Sequence, residues 1–232
     1  MKPETRLNHS LPLLLHVATA ITGLIDAISY LGLGHVFTAN MTGNVVFLAF
    51  AVAGAPGLSI TRSLTALVAF LAGALIGGRV ATRLSEVFTP SWITTALSLE
   101  SALLLVATLA AINFRDSSGS LFQSYSIILL TAYAMGIRNA TVRKMAIPDL
   151  TTTVLTLTIT GLAADSRFAG GTSPRWRRRL LAVLMMFFGA VIGTLLLRRS
   201  LVLPLATATF LSICCVAISM KQRDGSAKSA TR

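Results

Sequence analysis

Runs of apolar residues as long as a lipid bilayer is thick recur along this chain, and no other feature limits its fold so strongly. LLLHVATAITGLI (13–25), LTALVAFLAGALIGG (64–78) and LLAVLMMFFGAVIGTLLL (180–197) are examples. An α-helix rises 1.5 Å per residue, so about 20 apolar residues cross a hydrocarbon core about 30 Å thick. A soluble domain of this size could not hide that much apolar surface in one core. With 54% hydrophobic and 12% charged residues, the chain reads as an all-α, polytopic helical membrane protein whose first partner is the lipid bilayer.

The apolar segments fall at about 11–34, 41–55, 63–82, 92–112, 121–137, 150–164, 179–197 and 201–220. The second and sixth are too short to cross comfortably. The chain also repeats itself. Gly23 and Asp26 match Gly136 and Asn139 at an offset of 113, Thr38 matches Thr152 at 114, and Gly73 and Gly77 match Gly189 and Gly193 at 116. This order predicts two homologous halves, about 11–112 and 121–220, inside a single membrane domain, 1–220. A polar tail, 221–232, follows and is expected to be cytoplasmic and disordered. The N-terminus imitates a signal peptide, but its apolar run continues past the small residues Ala18 and Ala20, so it is expected to be retained as a membrane helix.

Charge decides between two topologies. If all eight segments cross with the N-terminus inside, 13 of the 20 Lys and Arg lie inside and seven outside. If the two short segments enter and leave on one side, as broken or re-entrant pieces, the split becomes 16 to 4. The positive-inside rule favours the second, with both termini cytoplasmic in a bacterial inner membrane. Three crossings per half is an odd number, so the halves would be inverted, as in many channels and secondary transporters. Eight crossings would leave them parallel.

The net charge of +12 would in a soluble protein suggest nucleic acid. Here the basic residues flank apolar segments, which is the ordinary topology signal, so no nucleic-acid partner is expected. Cys214 and Cys215 are adjacent in an apolar segment and form no disulfide framework. His9, His16 and His35 have no metal-ligand spacing, and no phosphate loop or nucleophile motif is present. No metal, cofactor or enzymatic activity is expected.

One polar stretch does not belong between two apolar segments. HVFTANMTGN, 35–44, gathers His35, Thr38, Asn40, Thr42, Gly43 and Asn44. Non-helical backbone at membrane depth survives only beside protein or a water-filled cavity. Gly34 and Gly43 permit a break, Thr38 and Asn40 can cap a following helix, and Asn44 can bond across to another segment. The second copy, IPDLTTTVLTLT, supplies Thr152, Thr156 and Thr158. The plain alternative is that these groups only glue helices together. Asp26 is a carboxylate inside an apolar segment, a costly placement that usually marks a bundle interior or cavity. Its counterpart Asn139 lies beside Arg138, so an Asp26–Arg138 ion pair is a candidate, against the alternative that Arg138 reaches the cytoplasmic surface. Glu100 is a second intramembrane acid with no evident partner.

The stretch GLIDAISYLGLGHVFTANMTGNVVFLAFAVAG, 23–54, together with AYAMGIRNATVRKMAIPDLTTTVLTLTITGLAAD, 132–165, resembles the YoaK-like family of bacterial integral membrane proteins, a family of unknown function. ANMTGN is the most specific part. The resemblance covers nearly the whole chain and implies a bacterial inner-membrane location, but no activity, substrate or catalytic residue. The family's second motif carries glycine where this chain has Leu157, which sets the two halves apart in flexibility. From the residues themselves, the leading expectation is a transporter or channel-like permease for a small polar or ionic solute. Asp26, His35, Asn40, Thr42, Asn44, Arg138, Asn139, Thr152, Thr156 and Thr158 would line its path. The rival is a non-transporting assembly or regulatory protein, and self-association is compatible with both.

Overall fold

The computed structural model describes residues 4–85, 91–112, 121–145, 155–173 and 175–230, with side chains described over 11–83, 92–112, 121–145, 155–173 and 175–221. All regular structure in them is helical. The helices are α1 (Glu4–Ala27), α2 (Met41–Val52), α3 (Ile60–Ser85), α4 (Ser91–Ala110), α5 (Leu121–Met145), α6 (Thr156–Ala164), α7 (Trp176–Leu197) and α8 (Val202–Ala230). A π-helical turn, Ile28–Gly32, continues α1, and a 3₁₀ turn, Arg167–Ala169, follows α6. Five stretches, Leu11–Gly32, Ile60–Arg83, Trp92–Ala110, Trp176–Leu197 and Val202–Lys221, are long and apolar enough to cross a membrane. α5 is equally long, but Gln123, Arg138, Asn139, Arg143 and Lys144 dilute its apolar character. α2 and α6, with 12 and 9 residues, are the short elements expected from their sequences. The tail expected to be disordered instead carries α8 on to Ala230. Extending a formed helix avoids the cost of nucleation, and Lys, Gln, Arg and Ala are good helix formers.

The exterior is as apolar as the interior. Leu71, Leu75, Phe187, Phe188 and Phe210 are all exposed. Such a surface suits lipid, and lipid offers no hydrophobic force to drive helices together, so close backbone approach and hydrogen bonds must hold the bundle. Both are present. On α1 and α7, Gly23 lies against the Met186 carbonyl and Gly189 against the Ala20 carbonyl, so a Cβ at either position would collide with backbone. On α3 and α5, Gly73 meets the Tyr133 carbonyl and Gly136 the Phe70 carbonyl in the same manner. Gly193 contacts Leu24 and Ala27, and Gly77 contacts Ile137 and Ala140. Contacts therefore advance in step along both pairs, so α1 runs parallel to α7, and α3 parallel to α5.

α4 and α8 are held by hydroxyl pairs instead. Thr94 Oγ1 meets Ser219 Oγ at 2.8 Å, Ser101 Oγ meets Ser212 Oγ at 2.7 Å, and Thr108 Oγ1 meets Thr209 Oγ1 at 2.9 Å. Rising numbers on α4 meet falling numbers on α8, so these two helices are antiparallel. The core between the pairs is aliphatic, built on Ile21, Leu24, Ile25, Ile28, Leu104, Ile127, Ile128, Met135 and Leu205. His16 is a brace of the ordinary kind, its ring nitrogens lying 2.5 Å from the Pro12 carbonyl oxygen and 3.3 Å from that of Arg178. Cys214 and Cys215 are free thiols, half-buried and buried.

Candidate functional site

Asp26 is the last residue but one of α1, and the helix widens into its π-helical turn immediately afterwards. Such turns hold an extra residue at some cost and are frequent at functional sites. The chain then stops being helical. Gly34 has φ +89°, where a side chain is strained, and a Cβ there would also strike the Arg62 guanidinium. His35 takes φ +58° despite its side chain. His35 N–H donates to the Tyr30 carbonyl at 3.0 Å, which closes the turn. Tyr30, His35, Phe37 and Phe47 pack ring against ring beside it.

The polar residues of HVFTANMTGN divide into two groups by what they touch. Asn40 caps α2, its Oδ1 accepting from Gly43 N–H at 3.4 Å. Asn44 is fully buried and clamps one residue of the non-helical segment: its Oδ1 accepts from Phe37 N–H at 2.9 Å while its Nδ2 donates to the Phe37 carbonyl. These two groups satisfy backbone that the break has stripped of helical partners. Thr42 and His35 are exposed. Thr38 is different. Its side chain is fully buried and its Oγ1 has no hydrogen-bond partner among the described residues.

Asp26 shares that condition. The backbone N–H groups of Ala39 and Asn40 donate to its carboxyl group, at the entry to α2. Its Oδ1 is buried with no hydrogen-bond partner among the described residues. No described cation pairs with it. The Asp26–Arg138 ion pair considered from the sequence does not form, because Arg138 turns to Glu100. Arg138 Nε donates to Glu100 Oε2 at 2.9 Å and Nη2 donates to Oε1, a bidentate pair buried on both sides. The remaining guanidinium nitrogen donates to the Ala18 carbonyl at 2.8 Å and lies 3.3 Å from Thr22 Oγ1. Ser212 Oγ completes the cluster, donating to Glu100 Oε1 at 2.9 Å. α1, α4, α5 and α8 are thus tied at one point. A cavity of about 20 Å³ adjoins it, lined by Leu15, Ala18, Leu97, Glu100 and Arg138 among others, enough for about one water molecule.

In the second half, Asn139 is half-buried and its Nδ2 donates to the Met135 carbonyl at 2.8 Å. Thr156 is exposed on α6 and Thr158 is buried. Thr152 lies outside the described residues, as do Pro148 and Asp149. α6 is held by Arg179 of α7, whose Nη1 donates to the Gly161 carbonyl and to Asp165 Oδ2, both at 2.6 Å. Two described cavities bear on the expected solute path. The one beside Glu100 is not lined by Asn40, Thr42, Asn44, Thr156 or Thr158, and neither is a groove of about 540 Å³ between α3 and α5. Thr38, Arg62 and Ser212 were not singled out from the sequence as site residues. Thr38 stands out in the sequence only as a possible cap for α2, a place that Asn40 takes, and a buried serine carries no signal.

Three comparisons place the chain among known proteins. It is 36% identical over 152 residues to the UPF0700 transmembrane protein YoaK of Bacillus subtilis (strain 168), across 66% of this chain and 65% of that protein. The match therefore spans just under two thirds of the relative's length. No solved structure matches the chain. A family model described as a protein of unknown function, DUF1275, matches residues 14–218, and the chain, a multi-pass membrane protein by its apolar helices, belongs to that family.

Proposed function

We propose that this protein is a permease for a small polar or ionic solute, built from two inverted halves, with the break after Asp26 as its working site. The observation that carries the reading is the Asp26 carboxyl group, buried at a helix break with one oxygen unpartnered. A permanent structural acid inside a membrane protein is normally paired, as Glu100 is. An incompletely satisfied one is suited to binding something that comes and goes.

The directions of the helices support inversion. α7 and α8 form a hairpin, α1 follows α7, α4 opposes α8, and α3 and α5 run together. If α3 and α4, joined through 86–90, run in opposite directions, α1 opposes α5, α3 opposes α7 and α4 opposes α8, which is what halves of three crossings each require. The glycine contacts correspond as well. Gly23 on Met186 and Gly136 on Phe70 are the same contact at offsets of 113 and 116. α1, α3, α4, α5, α7 and α8 would cross, while α2 and α6 would enter from opposite faces. The 16 to 4 charge split favours cytoplasmic placement of both termini.

The rival reading, a non-transporting assembly or regulatory protein, is favoured by Asn44, which is wholly engaged in clamping Phe37. Thiol labelling separates the two. In a variant lacking Cys214 and Cys215, a cysteine at Thr38 is sealed in the conformation described here. A permease must expose it transiently, so slow reaction with small water-soluble thiol reagents is expected, from both faces of oriented vesicles. Silence from both faces at every reagent concentration removes the permease and leaves a packing motif.

A further inference from the structure

Buried polar atoms without partners are rare enough in a folded protein that each calls for a physical reason. Among the described residues the atoms in this condition include Asp26 Oδ1, Thr38 Oγ1 and Arg62 Nε. All three lie around one break. Thr38 immediately precedes Ala39, whose N–H donates to Asp26, and Arg62 lies against Gly34 in the same non-helical stretch. The clustering points to a place completed by a ligand, and the chemistry of the atoms says which kind.

A metal cation fits poorly. Alkali and alkaline-earth ions want several oxygens, typically six or more, whereas only a carboxyl and one hydroxyl are free here. The carboxyl group also faces two backbone N–H groups at the start of α2, where the helix dipole is positive. That end repels a cation. An anion fits no better, since Asp26 already occupies the N–H groups that would hold it. A proton needs no coordination shell. It neutralises the carboxyl group where no described cation does so, and it converts an oxygen with no donor into an O–H that can donate. Thr38 Oγ1, next in the chain to Ala39, is a fully buried acceptor without a partner among the described residues.

We infer that Asp26 is a proton-binding site, and that the proton is the coupling ion of the permease proposed above. The charged and titratable groups on the surrounding elements are accounted for. Glu100 and Arg138 are committed to each other. Arg62 stands over Gly34 on α3, and His35 and Tyr30 belong to the aromatic cluster. None of these makes an ion pair with Asp26. Asp26 is therefore the buried acid in this region with freedom to gain and lose a proton without breaking a pair. The inference rests on the permease reading for its purpose, but the proton itself can be read without any transport.

The full chain has eight carboxyl side chains, five of them aspartates at 26, 116, 149, 165 and 224. Infrared spectra of the protein in lipid vesicles, with carbonyl-labelled aspartate, resolve a protonated carboxyl from an ionised one. A protonated-aspartate band that disappears on raising the pH, and that Asp26→Asn removes, is the expected result. If Asp26→Asn does not fold, changing the other four aspartates to asparagine leaves Asp26 as the sole labelled carboxyl group and gives the same answer. A band that persists in Asp26→Asn, or no titrating band in either protein, overturns the proton site. Loss of the band on adding sodium or potassium at fixed pH also overturns it, because a metal cation then competes. A titrating band together with a silent Thr38 cysteine leaves the proton site standing and removes the permease.

Discussion

Two buried polar clusters lie in this bundle, and they differ in whether their hydrogen bonds close. At Arg138 and Glu100, both carboxylate oxygens, all three guanidinium nitrogens, a backbone carbonyl and two hydroxyls are mutually engaged across four helices. At Asp26 the carboxyl group has two backbone donors on one side and an unpartnered oxygen on the other, and Thr38, next in the chain to the donor Ala39, is unpartnered as well. A closed network has one low-energy arrangement, whereas an open one can take up a ligand or rearrange. The first ties α1, α4, α5 and α8 in one arrangement, and the second is where the proposed proton site lies. Charge alone does not distinguish them, since each has a carboxylate within a membrane helix.

The largest effect belongs to the closed cluster. Arg138→Leu strands Glu100 without its cation in a site of 1% exposure, and breaking a buried pair from one side costs about 3–5 kcal/mol. Thermal unfolding in lipid-like detergent should show that loss, or the variant should fail to accumulate. Removing both charges, Arg138→Leu with Glu100→Leu, should recover much of it. Equal destabilisation by the single and the double variant would show that the pair does not act as a unit, and the contrast with Asp26 would collapse.

Much of the bundle is legible in the sequence, because a bilayer imposes one length on every crossing. Apolar runs place α2, α3, α4 and α7 to within three residues at both ends, whereas α1 begins seven residues before its run, α8 continues ten residues past its run, and the expected start of α6 at 150 lies outside the described residues. α5 was drawn to end at 137 and runs to Met145, since its last turns carry Arg143 and Lys144, which end an apolar run without ending a helix. The break after Asp26 was legible from Gly34 and the Asn and Thr residues around it. Its internal division was not. Asn40, Thr38 and Asn44 look alike as letters, and only the path of the backbone makes one a cap, one a clamp and one an orphan. The choice of partner for Arg138 was equally hidden. Two acids were in reach of one arginine, and sequence spacing within a helix says nothing about which neighbouring helix comes close.

A middle-sized effect tests the clamp. Asn44→Leu deletes both bonds to Phe37 and leaves that residue's N–H and C=O buried without their partner, which costs about 1–3 kcal/mol for each group stranded. A lower unfolding temperature is expected, along with faster hydrogen exchange at 35–40. Asn44→Asp should not rescue the clamp, because it keeps an acceptor for Phe37 N–H but sets a buried carboxyl oxygen against the Phe37 carbonyl. Unchanged exchange in Asn44→Leu would mean that the aromatic packing of Tyr30, Phe37 and Phe47 holds the segment unaided.

The smallest effect on stability should come from the residue with the greatest effect on function. Asp26→Asn keeps one carbonyl oxygen to accept from Ala39 and Asn40, and it replaces an unpartnered oxygen by an amide nitrogen in the same place. At a pH of about 4 or below, where the unfolded carboxyl group is largely protonated too, an Asp26 that carries a proton when folded is as neutral as asparagine, and the change should shift stability by about 1 kcal/mol or less, the net worth of one hydrogen bond. If Asp26 were ionised, the substitution would remove a charge that costs roughly 2.5–3.5 kcal/mol in a membrane helix and would stabilise the protein visibly. Unfolding curves of the two proteins at the same pH decide between these. A loss as large as that of Arg138→Leu would make Asp26 a second structural anchor, and the two clusters would no longer differ in kind. A near-zero shift, in a variant whose Thr38 cysteine no longer becomes accessible, would place the working part of the molecule at the oxygen that the fold leaves empty.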